Sequence, residues 1–431
     1  MLDQSAPRAS AGGVRDAYAT RRGSATVRVV HPDGSPAADA DVTVEQVRHE
    51  FGFGNIGFDL VSLANHDSED RASVFGGAST ASAARLAPLY LELYNATTLP
   101  FYWRGFEPRQ GEPQTERMMR AARWFAERGV QIKGHPLLWH TLAPQWLLEL
   151  DDARAEEVMR ARITREARDF AGVVDLWDAI NESVILPVFT AERNAVTRLA
   201  QSKGRIETVR MAFEAAREGN PDARLVLNDF DLSADYEHVI EECLEAGIRI
   251  DAIGVQTHMH QGFRGEEQIH AILDRFGRFG LPLQMTETTL VSGHLMPPEI
   301  VDLNDYQIDS WPSTPEGEER QAQEIVRHYR AVVEHPAVGS LTYWGLTDEG
   351  SWLGAPSGVV RADGTRKPAY DALHTLIKGE WWLDATQVRT DASGELTLSG
   401  FAGDYRISHA GRHTTVHLDR GGAGPLSAAL E

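Results

Sequence analysis

The sequence predicts an α/β fold, a closed (β/α)8 TIM barrel carrying a small accessory β unit. Three observations predict it. The chain has 431 residues, enough for a barrel of roughly 250 residues with insertions and an appendage. Eight short apolar or β-branched runs alternate with helical, charge-rich segments, and that rhythm favours a parallel barrel over an open sheet. Near both ends the texture changes to short alternating strands with Pro- and Gly-rich turns.

Taken in order, residues 1–23 are rich in Ala, Arg, Ser and Gly and are expected to be a flexible lead-in. Residues 24–48 read as a β-hairpin, with Thr26–Val30 and Asp41–Val47 flanking the turn Pro32-Asp33-Gly34-Ser35-Pro36. Residues 49–378 hold the eight runs: Phe51–Gly54, Tyr94–Thr98, Val130–His135, Val173–Trp177, Leu225–Asn228, Ile250–Val255, Leu283–Glu287 and Ser340–Gly345. One intervening helix is plain. From Glu318 to Glu334 it sets Ala322, Ile325, Val326, Tyr329 and Val332 on one face, and His335-Pro336 ends it. Residues 379–431 form a small β unit with strands at Glu395–Ser399, Asp404–Ser408 and Thr414–Leu418. This unit is expected to pack with the N-terminal hairpin, since neither buries much surface alone. The Gly421–Gly424 end reads as a frayed terminus.

The chain carries 63 acidic against 42 basic residues, a net charge of −21. Such a surface repels nucleic acid and anionic membranes, which makes both poor partners. No run approaches the ~18 apolar residues of a membrane span. The start lacks an apolar stretch after a basic segment, so the reading is a cytoplasmic protein without a secretory leader. The one cysteine, Cys243, lies in a predicted helix as buried filler and excludes an intrachain disulfide.

Active sites of such barrels lie at the C-terminal ends of the strands. There the sequence places Gly134-His135 with Trp139-His140, Trp177-Asp178 with Asn181-Glu182, Asn228-Asp229, Gln256 with His258, Thr286-Glu287, and Trp344 with Asp348. Indole faces stack on sugar C–H faces while amides and imidazoles satisfy hydroxyls, so this mixture suits a sugar cleft. Glu182 and Glu287 end the fourth and seventh runs, which faces their carboxyls across the cavity. A retaining glycosidase needs two carboxyls roughly 5–5.5 Å apart, one as nucleophile and one as acid/base. The charge on Glu287 would raise the pKa of Glu182, and forming the glycosyl-enzyme would remove that charge. The pair needs no cofactor. His258-Met259-His260 also offers a metal-ligand spacing, but its neighbours are Gln, Asn and Trp rather than further ligands, and no metal is expected.

Together and in this order, these segments resemble glycoside hydrolase family 10, the barrel endo-β-1,4-xylanases, over about Phe51 to Leu376. Ser351-Trp352 and Lys367-Pro368-Ala369-Tyr370 complete the likeness. The resemblance implies Glu182 as acid/base, Glu287 as nucleophile, and Asn181 on the 2-hydroxyl of the sugar at the cleavage point. It implies His135, Trp139, His140, Gln256 and Trp344 around that sugar, Trp352 closing above it, and His258 bonded to the nucleophile. Two departures stand out. After its second strand the family has Glu-Asn-Glu-Met-Lys-Trp, whose polar groups grip sugars on the non-reducing side. Here Thr98-Leu99-Pro100-Phe101-Tyr102-Trp103-Arg104 stands instead, with Trp103 a candidate contact to substrate. The family also has Asp two residues after the nucleophile, where this chain has Thr289. The long segment 291–315, and Leu60–Ala84 after the first strand, are candidate walls shortening the cleft. The expected substrates are xylo-oligosaccharides or xylan. The alternatives are small plant-type aryl, diglycoside or saponin glycosides, and a catalytically inactive sugar-binding protein.

Overall fold

The computed structural model describes residues 16–67, 77–422 and 424–431. The chain divides into two compact units, one reaching to Val47 and resuming at Ala385, the other spanning Arg48–Asp384.

The smaller unit contains β1 (Arg22–Val30) and β2 (Asp41–His49), which the sequence reading paired as a hairpin. They do not pair. β1 lies antiparallel to β12 (Glu395–Phe401) and parallel to β15 (Leu426–Ala429). β2 belongs to a second sheet, ordered β11 (Thr386–Arg389), β2, β13 (Gly403–His409), β14 (Arg412–Leu418). The cause lies in the strands themselves. Val27 and Val29 on β1, and Val42 and Val44 on β2, each bury one face, and stacking two sheets buries both faces where a lone hairpin could not. The chain end is correspondingly not frayed, because Val27–Val30 register against Leu426–Ala429. The expected flexible lead-in is ordered from Ala19, with a helical turn to Arg21 and β1 from Arg22. Residues 1–15 of that lead-in lie outside the described residues.

The larger unit is the barrel. Its eight parallel strands are β3 (Gly52–Ile56), β4 (Ala96–Pro100), β5 (Gln131–His135), β6 (Leu176–Asn181), β7 (Arg224–Asp229), β8 (Ala252–Met259), β9 (Leu283–Leu290) and β10 (Val338–Tyr343). They close in the order β10-β3-β4-β5-β6-β7-β8-β9. Each expected run falls on one strand. Burial on both faces explains their continuous apolar texture: Leu225, Val226 and Leu227 are all fully buried. The predicted helix at 318–334 begins slightly earlier, at Pro315, because the Thr314 hydroxyl accepts the Gly317 N–H and caps it. Gly134 on β5 shows how tightly the ring is closed. A Cβ there would fall 2.1 Å from the Trp177 ring of β6, so only glycine lets His135 reach the rim beside Asp178. Cys243 is buried and free in the helix Ala234–Glu245. Among the described residues no helix is long and apolar enough to cross a membrane.

Candidate active site

Glu182 follows β6 directly and Glu287 lies within β9. Glu182 adopts φ +58°, a left-handed conformation that a non-glycine residue holds only where its surroundings enforce it. Its N–H donates to the Asn228 carbonyl at 2.8 Å, which anchors this turn to the neighbouring strand. Two amides then link the carboxylates. Asn228 Nδ2 donates to Glu287 Oε1 at 3.0 Å and to Asn181 Oδ1 at 2.7 Å, and Asn181 Nδ2 lies 3.2 Å from Glu182 Oε1. Gln256 Nε2 donates to Asn181 Oδ1 at 3.1 Å, and the Thr286 hydroxyl to Asn228 Oδ1 at 2.6 Å. Each amide is fixed on both sides, so its remaining donors and acceptors have set directions.

The two carboxyls sit in opposite electrostatic environments. Burial, followed by the charge of Glu287, raises Glu182 to about 8, so it is protonated at neutral pH. The Trp139 indole donates to Glu182 Oε2 at 2.8 Å, and His140 Nε2 lies 3.6 Å from the same oxygen. Burial drops His140 to about 3, leaving it neutral. Burial also pushes Glu287 upward, but it is outweighed. The hydrogen bond from His258 and the charges of His135, His258 and Lys133 hold Glu287 below the usual carboxyl range. A protonated and an ionised carboxyl side by side are the starting state for acid-assisted nucleophilic displacement.

Two histidines converge on Glu287 from different backings. His135 Nε2 lies 4.0 Å from Oε1, while its Nδ1 meets Asp178 Oδ2 at 2.7 Å. Asp178 also takes the Lys133 ammonium at 2.9 Å. His258 Nε2 lies 3.1 Å from Oε2, and its Nδ1 meets the Thr289 hydroxyl at 2.8 Å. Where the family has Asp, Thr289 thus partners His258 through a neutral hydroxyl, which can donate or accept but brings no charge.

Most residues singled out from sequence assemble here. His135, His140, Asn181, Gln256 and Trp344 are buried around the glutamates, and Trp139 is half-buried. Trp352 remains 37% exposed, its ring 4.9 Å from His258. Trp103 is the exception and is corrected. It is buried at 4% exposure, donates to Glu107 at 3.0 Å, packs edge-on against Trp146, and lies under the Arg162 guanidinium at 4.8 Å. Its neighbours form the outer packing of the barrel and not the cleft. The residue of that segment that faces the site is Tyr102, 5.6 Å from both His135 and Trp139. Phe58, Lys133 and Asn228 also belong to the site but had no assigned role. No strand alternation separates Tyr102 from Trp103, since β4 ends at Pro100; the short helix Trp103–Phe106 turns Trp103 into packing and leaves Tyr102, just before it, toward the site.

The metal reading gains no support, since among the described residues no group of three or more His, Cys, Asp or Glu could hold an ion. His258 is committed to Glu287 and Thr289. His260 is buried with neither ring nitrogen hydrogen-bonded.

Comparison with known proteins agrees with this geometry. Residues 100–376 match the profile of glycosyl hydrolase family 10. An endo-1,4-β-xylanase C of Paenibacillus barcinonensis is 25% identical over 275 residues, 57% of this chain but 24% of that protein. An endo-1,4-β-xylanase A of Caldicellulosiruptor saccharolyticus is 25% identical over 58% of this chain and 74% of its own length. An anti-sigma-I factor of Acetivibrio thermocellus is 23% identical over 93% of this chain and 47% of its own length. The chain thus spans between a quarter and three quarters of these relatives. The solved family 10 structure from Paenibacillus barcinonensis superimposes with a TM-score of 0.60 at 24% identity, covering 77% of this chain and 96% of that one. The family match takes in well over half of the sequence, including both glutamates and the amides between them, and the protein belongs to glycoside hydrolase family 10.

Proposed function

We propose that the chain is a retaining β-glycoside hydrolase acting on β-1,4-xylosidic bonds of xylo-oligosaccharides or xylan, with Glu287 as nucleophile and Glu182 as acid/base. The observation that carries the chemistry is the opposed protonation of two linked carboxyls, Glu182 raised to about 8 and Glu287 lowered. Glu287 attacks the anomeric carbon while Glu182 gives its proton to the departing oxygen. The glycosyl-enzyme that results has no charge on Glu287, so Glu182, now ionised, deprotonates the incoming water. Asn181 and Asn228 lie between the two carboxyls, where the 2-hydroxyl of the sugar sits in this chemistry. His135, His140, Gln256 and Trp344 line the same sugar. The xylosidic preference is supported by the named activities of the two xylanase relatives.

The test is a panel of xylan, xylo-oligosaccharides, aryl β-xylosides, aryl β-glucosides and mixed plant glycosides, assayed with the wild type and Glu287→Ala. Hydrolysis of xylosidic substrates that Glu287→Ala abolishes is the expected outcome. Turnover of glucosides or plant glycosides alone would keep the mechanism and refute the xylosidic preference. No turnover of any member would leave only a sugar-binding role.

A further inference from the structure

The barrel order fixes where each half of the substrate can lie. The acid/base protonates the departing oxygen, so the leaving group lies on the side of Glu182 and β6. In an eight-stranded ring β10 stands four places from β6 in either direction, diametrically across the cleft. Sugars beyond the cleavage point on the non-reducing side therefore extend away from β6, over the β10, β3 and β4 side of the rim.

That exit is filled. Phe58 follows β3, Tyr102 follows β4 and Trp344 follows β10. The Phe58 ring meets Tyr102 at 5.8 Å and Trp344 at 5.7 Å, both edge-on. Phe58 and Trp344, 5% and 8% exposed, form one buried cluster with Ile56, and the half-buried Tyr102 packs against it. Edge-to-face contacts of this kind hold rings in place beyond their simple burial.

Beside this cluster stands a second barrier. The segment after β9, which the sequence read as a possible wall, has a core of its own in Val291, Met296, Trp311 and Ala355. It is pinned by His294 Nε2 to the Tyr306 hydroxyl at 2.8 Å and by the Trp311 indole to the His294 carbonyl at 2.9 Å. The Met296 N–H reaches the His260 carbonyl at 2.9 Å, tying the segment to the end of β8. Two histidines run between the barriers, His258 with its ring 6.2 Å from Trp344 and His260 with its ring 6.0 Å from Trp311, and the Trp352 ring lies 4.9 and 5.2 Å from the two. A second sugar on this side would set its hydroxyls against packed apolar rings, at the cost of unmade hydrogen bonds.

We propose that these barriers confine the glycone to a single sugar, so that the enzyme is exo-acting and releases the terminal residue from the non-reducing end. Tyr102 is then a specificity residue. Burial, then the charges of Glu287 and Glu182, push its hydroxyl well above the usual tyrosine range, keeping it a donor for the terminal sugar's outer hydroxyls. The bond broken is the first glycosidic bond from that end. Glu287 takes the anomeric carbon, the departing oxygen takes the Glu182 proton, and water then frees one monosaccharide and restores both carboxyls.

The inference rests on the hydrolase reading and fails separately from it. The decisive experiment identifies the first product from xylotetraose labelled at its reducing end, alongside kcat/KM for aryl β-xyloside and aryl β-xylobioside. The expected result is free xylose with labelled xylotriose, and at least ten-fold higher kcat/KM on the xyloside. Aryl release from the xylobioside should show a lag while xylose is removed first. Phe58→Ala and Tyr102→Ala, checked for folding by their melting transitions, should each raise the xylobioside-to-xyloside ratio about ten-fold. Xylobiose as the first product, or lag-free aryl release from the xylobioside, would overturn the inference and leave the hydrolase reading standing. No hydrolysis of any of these substrates would overturn both.

Discussion

Replacing Trp139 with Phe should move the alkaline limb of activity upward. The Trp139 indole donates to Glu182 Oε2 at 2.8 Å, and a donor to a carboxyl oxygen favours its ionised form. It therefore opposes the burial and the Glu287 charge that hold Glu182 near 8. A hydrogen bond to a charged group contributes about 1.5–3 kcal/mol, and one pKa unit corresponds to about 1.4 kcal/mol. Losing the bond should raise Glu182 by roughly 1–2 units, since His140 is too far, at 3.6 Å, to replace it. Phe keeps the ring contacts with Tyr102 and His135, which holds the rest of the pocket in place. The assay is the pH dependence of kcat/KM on an aryl glycoside, which reports the free enzyme's ionisations. The wild type should lose activity above about pH 8, where Glu182 gives up its proton, and at acid pH, where Glu287 gains one. In Trp139→Phe only the alkaline limb should shift, upward. An unmoved limb, or one displaced to lower pH, would refute Glu182 as the acid and the indole as its regulator.

Four further outcomes follow from the same geometry. Glu287→Gln removes both the nucleophile and the charge that lifts Glu182, so hydrolysis should stop and Glu182 should titrate nearer the usual carboxyl range in a carboxyl-carbon NMR titration. Glu182→Ala should slow glycosides with poor leaving groups by at least a hundred-fold more than activated aryl ones, and azide should restore turnover by giving a β-glycosyl azide; an α product would deny the retaining course. Thr289→Val should leave His258 Nδ1 without a partner and lower kcat/KM several-fold, with Thr289→Ser restoring it. Trp103→Ala should cost about 3–5 kcal/mol of stability in denaturant unfolding, while its folded fraction keeps the wild-type KM.

The eight barrel strands were legible because a strand buried on both faces needs an uninterrupted apolar run, and the loops between them supply helices with one apolar stripe. Residues 225–227 show the first and Ala322, Ile325 and Tyr329 the second. The accessory unit was harder to read. β11, Thr386–Arg389, has no buried position, and β15 is four residues long after a Gly-rich turn, so neither carries a hydrophobic period. Its long-range pairing, Val27 with Leu426 across the whole chain, leaves no local trace.

The active site divides along the same line. The groups that act on the anomeric carbon sit on strand ends or directly after one, so Glu182, Glu287, Asn181, Gln256 and His258 could be placed at the rim from the order of the runs, and the family resemblance supplied their roles. The groups that decide how much sugar fits sit beyond the strand ends, where alternation no longer fixes direction. Tyr102 and Trp103 are adjacent aromatics with similar chemistry, yet one faces His135 and the other stacks beneath Arg162. Nothing in the two residue types tells them apart. What separates them is the short helix Trp103–Phe106, which turns Trp103 into the packing around Glu107 and leaves Tyr102 outside it as the N-cap residue. The catalytic chemistry is therefore tied to the barrel's repeat, whereas the length of the glycone pocket depends on single turns in the β3, β4, β9 and β10 loops. Changes confined to those loops can convert an open cleft into a closed pocket while both carboxyls stay where they are.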